Sequence, residues 1–159
     1  MFYGNKSCSF SRRPAGADMD QKAEIAMTKK AIASPKVAKT KGPYAQGVEV
    51  TNAKLVFTSG VVARDAAGII LGVGDIRVQT RQCFENIRNI IEAAGGTLSD
   101  LVKVTVFLRP GQDYAGMNEV RREILTGIDF ASSTVQVALN APDALIEVEA
   151  VAAVSISKS

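Results

Sequence analysis

The sequence contains no histidine and no tryptophan, and it has only two cysteines, Cys8 and Cys83, among its 159 residues. These absences exclude several reaction classes, because a Ser-His-Asp triad, a Cys-His pair and an imidazole-bound zinc ion all require histidine. Two thiols are also too few for a four-cysteine metal site within one chain. Acid–base chemistry in this chain therefore falls to carboxylates, tyrosine, lysine or polarised water.

Long apolar runs are missing as well. No stretch of about 18 apolar residues is present, and the N-terminus lacks the apolar segment of a secretory signal. We therefore expect a cytoplasmic protein that does not span a membrane. With 47% hydrophobic and 22% charged residues, a chain of this length is typical of one globular domain with a sizeable core.

The net charge of +3 is unevenly distributed. Residues 1–41 carry nine Lys and Arg against three Asp and Glu, whereas residues 42–159 carry ten against thirteen. We predict a basic, flexible N-terminal extension over 1–41 and a mildly acidic folded domain over 42–159. The extension could adsorb RNA or an anionic surface, but its charges are not interleaved with aromatic residues as in a single-strand binding surface. We therefore do not expect nucleic acid to be the partner.

Hydrophobic periodicity predicts two helices and five strands. The strands are expected at 48–51, 55–62, 102–108, 134–138 and 145–154. The first helix is expected to start after an Asp75 cap and to end at Gly95. The second is expected between Asp113 and Gly127, with Met117 on its apolar face and Arg121 elsewhere. The short link between the first two strands is typical of a hairpin.

The resulting order, β-β-α-β-α-β-β, predicts a two-layer α+β sandwich. Each helix is long enough to connect parallel strands, and right-handed crossovers place both helices on one face of a mixed sheet. On the other face, the last strand carries Leu145 and Val151 beside its glutamates, so this face is not wholly polar. One layer of helices covers only one face, which predicts self-association through the other.

Glu147 is the first candidate for acid–base chemistry. It lies with Glu149 in an otherwise apolar strand, and a carboxylate among apolar neighbours is suited to proton transfer. The alternative is that both glutamates form the solvated stripe of a half-exposed strand.

Polar residues elsewhere are candidates for binding. Ser132 and Thr134 lie two residues apart, on one face of the segment before the last strand. Hydrogen bonding is their expected role because no base is identified beside them. Tyr44 follows a Gly-Pro turn that either aims its ring into a cleft or packs it in the core. Ser59 and Gly60 indicate either a β-bulge or a close approach of the backbone to a ligand.

Six blocks of the sequence carry a family resemblance. The blocks are Gly42-Pro43-Tyr44-Ala45-Gln46, Phe57-Thr58-Ser59-Gly60, Gln79-Thr80-Arg81-Gln82 with Glu85-Asn86-Ile87, Val102-Lys103-Val104-Thr105-Val106-Phe107-Leu108, Ser133-Thr134-Val135-Gln136-Val137 and Ile146-Glu147-Val148-Glu149-Ala150. In order and spacing they resemble the RidA/YjgF family, the reactive intermediate deaminases. The resemblance implies a chorismate-mutase-like protomer assembled as a homotrimer, with the sheets forming a central barrel and three clefts between subunits. It also implies hydrolysis of 2-imino acids or enamines to 2-keto acids and ammonia, with no metal or organic cofactor.

The resemblance also implies roles for individual residues. Glu147 would orient or activate the attacking water, and Tyr44 would line the cleft. Gly60, beside Ser59, would offer backbone polar groups, and Thr134 would lie next to the substrate. A protonated imine is already electrophilic, so a placed water and charge balance are the main requirements.

Ser132 departs from the family pattern. In the deaminating branch an arginine at this position clamps the substrate carboxylate, and the segment 130–134 offers no cation. Arg64 and Arg109 are candidates to replace it from other directions. We therefore expect an imine or enamine deaminase with a substrate that does not depend on that clamp. The alternatives are a non-catalytic trimer that binds a small metabolite and, less favoured, an endoribonuclease.

Overall fold

A computed structural model describes residues 26–156 of the protein, which form seven strands, two α-helices and one short 3-10 helix. The strands are β1 (Thr28–Ile32), β2 (Gly47–Thr51), β3 (Ala53–Phe57), β4 (Val61–Val62), β5 (Leu101–Leu108), β6 (Ala131–Gln136) and β7 (Ile146–Ser155). The helices are α1 (Ile76–Ala93) and α2 (Tyr114–Ile124), and the 3-10 helix spans Leu98–Asp100.

The main sheet is mixed, with strand order β3-β7-β5-β6, and β4 pairs with the opposite end of β7 from β3. Strands β5 and β6 are parallel, whereas β7 is antiparallel to β3, β4 and β5. Helix α1 packs on β7 and β4, and α2 packs beside α1. The predicted α+β fold, with two helices on a mixed sheet, is therefore confirmed.

Helix α1 has the boundaries that the sequence predicts. The Asp75 carboxylate accepts hydrogen bonds from the backbone N–H groups of Arg77 (2.9 Å) and Val78 (3.1 Å), and Gly95 follows the helix with φ of +82°. The face of α1 that packs on the sheet is formed by Ile76, Gln79, Thr80, Cys83, Phe84, Ile87 and Ile91. Neither α-helix of residues 26–156 combines the length and the apolarity that crossing a bilayer requires.

The predicted strand 55–62 is two strands in the structure. Strand β3 ends at Phe57 and β4 begins at Val61, so the segment around Ser59 and Gly60 interrupts the ladder. The predicted hairpin is wrong, because β2 pairs with β1 while β3 pairs with β7 in the other sheet. Asn52, with φ of +52°, lies at the point where the chain passes from one sheet to the other. The short link permits a hairpin, but each strand has a partner distant in sequence.

Two further boundaries differ from the expected ones. Strand β1 lies within the segment 1–41 that we expected to be a flexible extension, and it pairs with β2 from Thr28 to Ile32. The expected flexibility of residues 1–25 lies outside the described residues. Strand β6 spans 131–136 rather than 134–138, because it pairs in parallel with β5, which ends at Leu108.

The face of the main sheet that the helices do not cover, here called the open face, carries large apolar side chains. Phe57 on β3 is 69% exposed, Leu55 is 54% exposed, and Val135 on β6 is 48% exposed. The opposite face of β7 is buried, since Ile146 and Val148 point into the helix layer. The apolar open face expected from the sequence is therefore present.

The Asp75 cap predicts a measurable contribution to stability. Asp75→Ala removes the acceptor of two backbone N–H groups, so we expect the free energy of unfolding to fall by about 1 kcal/mol. Asp143→Ala, which removes an exposed carboxylate outside the helices and strands, is the matched control. Chemical denaturation of both variants measures the difference, and equal stability of the two would contradict the capping role.

Candidate active site

Glu147 lies on the open face of the sheet, near the start of β7. It is opposite Phe107 of β5 and Val62 of β4, whereas its neighbours Ile146 and Val148 point into the core. Its side chain is half-buried, and within residues 26–156 the structure records no hydrogen bond or ion pair from its carboxylate. A carboxylate in this position has both oxygens available to a water molecule or a ligand.

Gly60 lies directly against the Glu147 side chain. A Cβ atom at position 60 would overlap Oε1 of Glu147 and would lie 2.8 Å from Cδ. The chain stays attached to β7 just before this point, because the backbone N–H of Thr58 donates to the Ala150 carbonyl (2.9 Å) and the Ala150 N–H donates to Oγ1 of Thr58 (3.0 Å). The interruption between β3 and β4 thus exposes backbone at Ser59 and Gly60 beside the carboxylate.

Glu149 lies two residues further along the same face and is exposed. It is opposite Thr105 and borders a groove of about 110 Å³ on the open face. The groove is lined by Phe57, Thr58, Lys103, Thr105, Glu149, Ala150 and Val151. Glu147 differs from Glu149 in its burial and in its contact with Gly60, so the two glutamates do not have equivalent surroundings.

Ser132 and Thr134 lie on the other face of the sheet. They pair with Val104 and Val106, whose side chains are fully buried in the core between the sheet and the helices. Both hydroxyls accept hydrogen bonds from Nη1 of Arg121 on α2, at 3.0 Å and 3.3 Å respectively. The two residues thus belong to one polar cluster that joins β6 to α2.

Tyr44 completes this cluster. Its ring lies over the Arg121 guanidinium, with 5.6 Å between the Cζ atom and the ring centroid. The backbone holds the ring there, because the N–H of Ala45 donates to the Phe130 carbonyl (2.9 Å) immediately before β6. The structure therefore brings together three of the residues predicted from the sequence, Tyr44, Ser132 and Thr134.

Arg121 is the residue that the sequence reasoning missed. We expected Arg64 or Arg109 to supply a cation, but Arg64 donates to the Gly68 carbonyl in its own loop and Arg109 to the Ala141 carbonyl (2.8 Å). Arg121 was expected on another face of α2, and this expectation is wrong, because its side chain is fully buried. The missed signal is its spacing of four residues from Met117, which places both side chains on one helix face.

The predicted site residues thus form two groups on opposite faces of one sheet. Glu147 and Gly60 lie at the open face, and Ser132, Thr134 and Tyr44 lie with Arg121 on the helix side. The sheet lies between the two groups within one protomer.

Cys83 is excluded as a nucleophile near neutral pH. It is fully buried on α1, and burial, followed by the charge of Glu147, raises the pKa of its thiol to about 12. No group of three or more His, Cys, Asp and Glu residues within 26–156 is arranged to hold a metal ion. Cys8 lies outside the described residues.

The fold and these two groups define a small α+β protein. It has a carboxylate on the open face of its sheet and, at the sheet edge, a polar cluster around one buried arginine. Residues 34–154 match the family model described as Endoribonuclease L-PSP. The chain belongs to this family, the RidA/YjgF family.

The matches to individual relatives cover nearly the whole length of each relative. A RutC family protein of Pyrococcus abyssi is 40% identical over 79% of this chain and 98% of its own. A 2-iminobutanoate/2-iminopropanoate deaminase of Dermatophagoides farinae is 34% identical over 77% of this chain and 94% of its own. Among solved structures, the Rid family protein YyfB of Yersinia pestis matches with a TM-score of 0.70 and 26% identity over 79% of this chain and 98% of its own. TdcF of E. coli with bound serine matches with a TM-score of 0.58 and 35% identity over 79% and 99%.

The contact between Gly60 and Glu147 predicts that Gly60→Ala displaces the carboxylate. The added Cβ overlaps the end of a flexible side chain, so we expect a new Glu147 rotamer and a change of less than about 1 kcal/mol in the free energy of unfolding. Gly47→Ala is the matched control, because a Cβ there would lie 3.8 Å from Cβ of Ile32, an ordinary contact. Crystal structures of both variants provide the measurement, and an unmoved Glu147 carboxylate in Gly60→Ala would contradict the prediction.

Proposed function

We propose that the protein hydrolyses the C=N bond of an imine, or of the imine that forms from an enamine, to give a carbonyl compound and ammonia. The observation that carries this proposal is the Glu147 carboxylate, half-buried beside the exposed backbone of Gly60 and without an internal partner among the described residues. Membership in a family with a 2-iminobutanoate/2-iminopropanoate deaminase among its members supports the same chemistry.

The reaction requires one proton acceptor and one water molecule. Glu147 accepts a proton from water as the water oxygen bonds to the carbon of the protonated imine, and the C=N double bond becomes the C–N single bond of a neutral carbinolamine. The nitrogen of this carbinolamine then takes up the proton held by Glu147, the C–N bond breaks, and the hydroxyl oxygen forms the carbonyl as its proton passes to solvent, which replaces the proton that the imine brought. Ammonia departs, and the sum is one water consumed for one ammonia and one carbonyl compound. The chain needs no strong nucleophile for these steps, which is consistent with its lack of histidine.

We further propose that the site forms between copies of the chain in a homotrimer. The open face is apolar at Leu55, Phe57 and Val135, and burying such a surface favours association. Glu147 lies on this face, whereas Thr134 lies on the other side at the edge strand β6. Packing the open face of one protomer against the β6 edge of the next would bring the two groups to one cleft. This arrangement is the one that the family resemblance implies.

Glu147→Gln tests the proposed chemistry. The amide keeps the size of the side chain but cannot accept the proton, so we expect kcat for ammonia release from 2-iminobutanoate to fall by about 10²–10⁴-fold. Glu149→Gln, two residues away on the same strand face, is the matched control and should keep most of the activity. Equal rates for wild type and Glu147→Gln would contradict the mechanism. Saturable binding of imines without any turnover by the wild type would instead indicate the non-catalytic alternative.

Phe57→Lys tests the proposed association. A charge on the apolar open face opposes its burial, so we expect dissociation to the 16.8 kDa monomer and loss of activity. Val73→Lys, which places the same charge on a loop residue that is 64% exposed, is the matched control. Sedimentation velocity gives the oligomeric state of each variant, and a monomeric wild type would contradict the proposal.

A further inference from the structure

Arg121 is a buried cation whose recorded hydrogen-bond partners are all neutral. Its side chain is fully buried, and its guanidinium donates to the hydroxyls of Ser132 and Thr134 and to Oδ1 of Asn118 (2.7 Å). The arginines of α1 differ from it, because they bind carboxylates at the protein surface. A buried charge without a counter-ion in the described part of the chain is unfavourable, so this environment favours an added anion.

The guanidinium has unused donors. It carries five N–H groups and makes three recorded hydrogen bonds, two from Nη1 and one from Nη2. Nε is buried and has no hydrogen-bond acceptor within residues 26–156. A buried N–H without an acceptor is uncommon in a folded protein and indicates a missing partner. A carboxylate, which accepts two N–H groups of a guanidinium in parallel, has the geometry to supply it.

The surroundings of the guanidinium add further donors. Ser132 and Thr134 accept from Nη1 with their oxygen lone pairs, which leaves the hydrogen of each hydroxyl for another acceptor. Asn118 accepts through Oδ1 and keeps both amide hydrogens. The Tyr44 ring covers the guanidinium from one side, and Tyr44 lies outside the helices and strands.

The Arg121 guanidinium also lies beside position 132, where β6 lacks a cation. Its Nη1 is 3.0 Å from the hydroxyl of Ser132, the residue at which the family resemblance implies a carboxylate-binding arginine. The positive charge that is absent from β6 is therefore present in the same cluster, supplied by α2.

We propose that Arg121 binds the carboxylate of a 2-imino acid substrate, from helix α2 rather than from strand β6. The inference rests on the proposed hydrolysis and assigns its substrate class. It replaces the sequence-based expectation of a substrate that needs no carboxylate clamp, because that expectation considered position 132, Arg64 and Arg109 but not Arg121.

Binding of 2-oxobutanoate, the keto acid that corresponds to 2-iminobutanoate, tests Arg121 without any turnover. Calorimetric titration of the full chain should give saturable binding for the wild type, and Arg121→Gln should weaken it by about 30-fold, the effect of losing a charge-assisted contact. Arg122→Gln, an exposed neighbour on the same helix, is the matched control and should stay within about twofold. Equal affinity of wild type and Arg121→Gln, or no binding by the wild type, would overturn the proposal.

Two further variants separate ligand binding from a merely structural role of Arg121. The double variant Arg121→Gln/Ser132→Arg moves the guanidinium to β6 and should recover at least about tenfold of the lost affinity. Arg121→Lys keeps the charge but loses the planar fork, so we expect an intermediate loss of affinity. Thermal melting is recorded for each variant. If the affinity falls only in proportion to the melting temperature, and neither of these two variants restores it, Arg121 has a packing role and the proposal is overturned.

Turnover distinguishes this inference from the proposed function. Arg121→Gln should raise KM for 2-iminobutanoate and leave KM for an uncharged imine, such as the corresponding methyl ester, nearly unchanged. If 2-oxobutanoate binding depends on Arg121 but no imine is hydrolysed, the inference holds and the proposed hydrolysis fails. If imines are hydrolysed while binding and KM do not respond to Arg121→Gln, the hydrolysis holds and the inference fails.

Discussion

The alternation of side chains along β7 is the constraint on which the rest of the structure depends. This strand pairs with β3, β4 and β5, and every second residue from Ile146 enters the core beneath α1. Because side chains alternate between faces, burying Ile146 and Val148 necessarily places Glu147 on the open face. The position of the candidate proton acceptor is thus a consequence of the same pattern that forms the core. A shift of register by one residue would exchange the two faces.

The second organising feature is the cost of burying a charge. Arg121 is held between α2 and β6 by neutral groups, and its position joins the helix layer to the edge of the sheet. The site residues therefore lie on both sides of the sheet, with carboxylate and guanidinium separated by it. This separation prevents the two charges from pairing within one protomer, as the proposed site between subunits requires.

Local signals predicted both helices and the bounds of β2, β5 and β7 to within one residue. The Asp75 cap and Gly95 are read directly from sequence, as is the alternation that places Glu147 opposite the core. The pairing of β2 with β1 was missed, because a short link is compatible with a hairpin and the actual partners are distant in sequence. The strand at Thr28–Ile32 was missed because its segment is rich in charge, and its pairing with β2 is a non-local interaction.

The sequence by itself determined the family, the α+β fold and the side of the sheet that carries Glu147, because these depend on local periodicity and on blocks of residues in order. Only the tertiary structure decided that Gly60 contacts Glu147 and that Arg121 reaches Ser132 and Thr134. These contacts join elements far apart in the chain. Their distances depend on how α2 packs over β6 and on where the ladder breaks before β4, and neither is set by the spacing of the residues along the sequence.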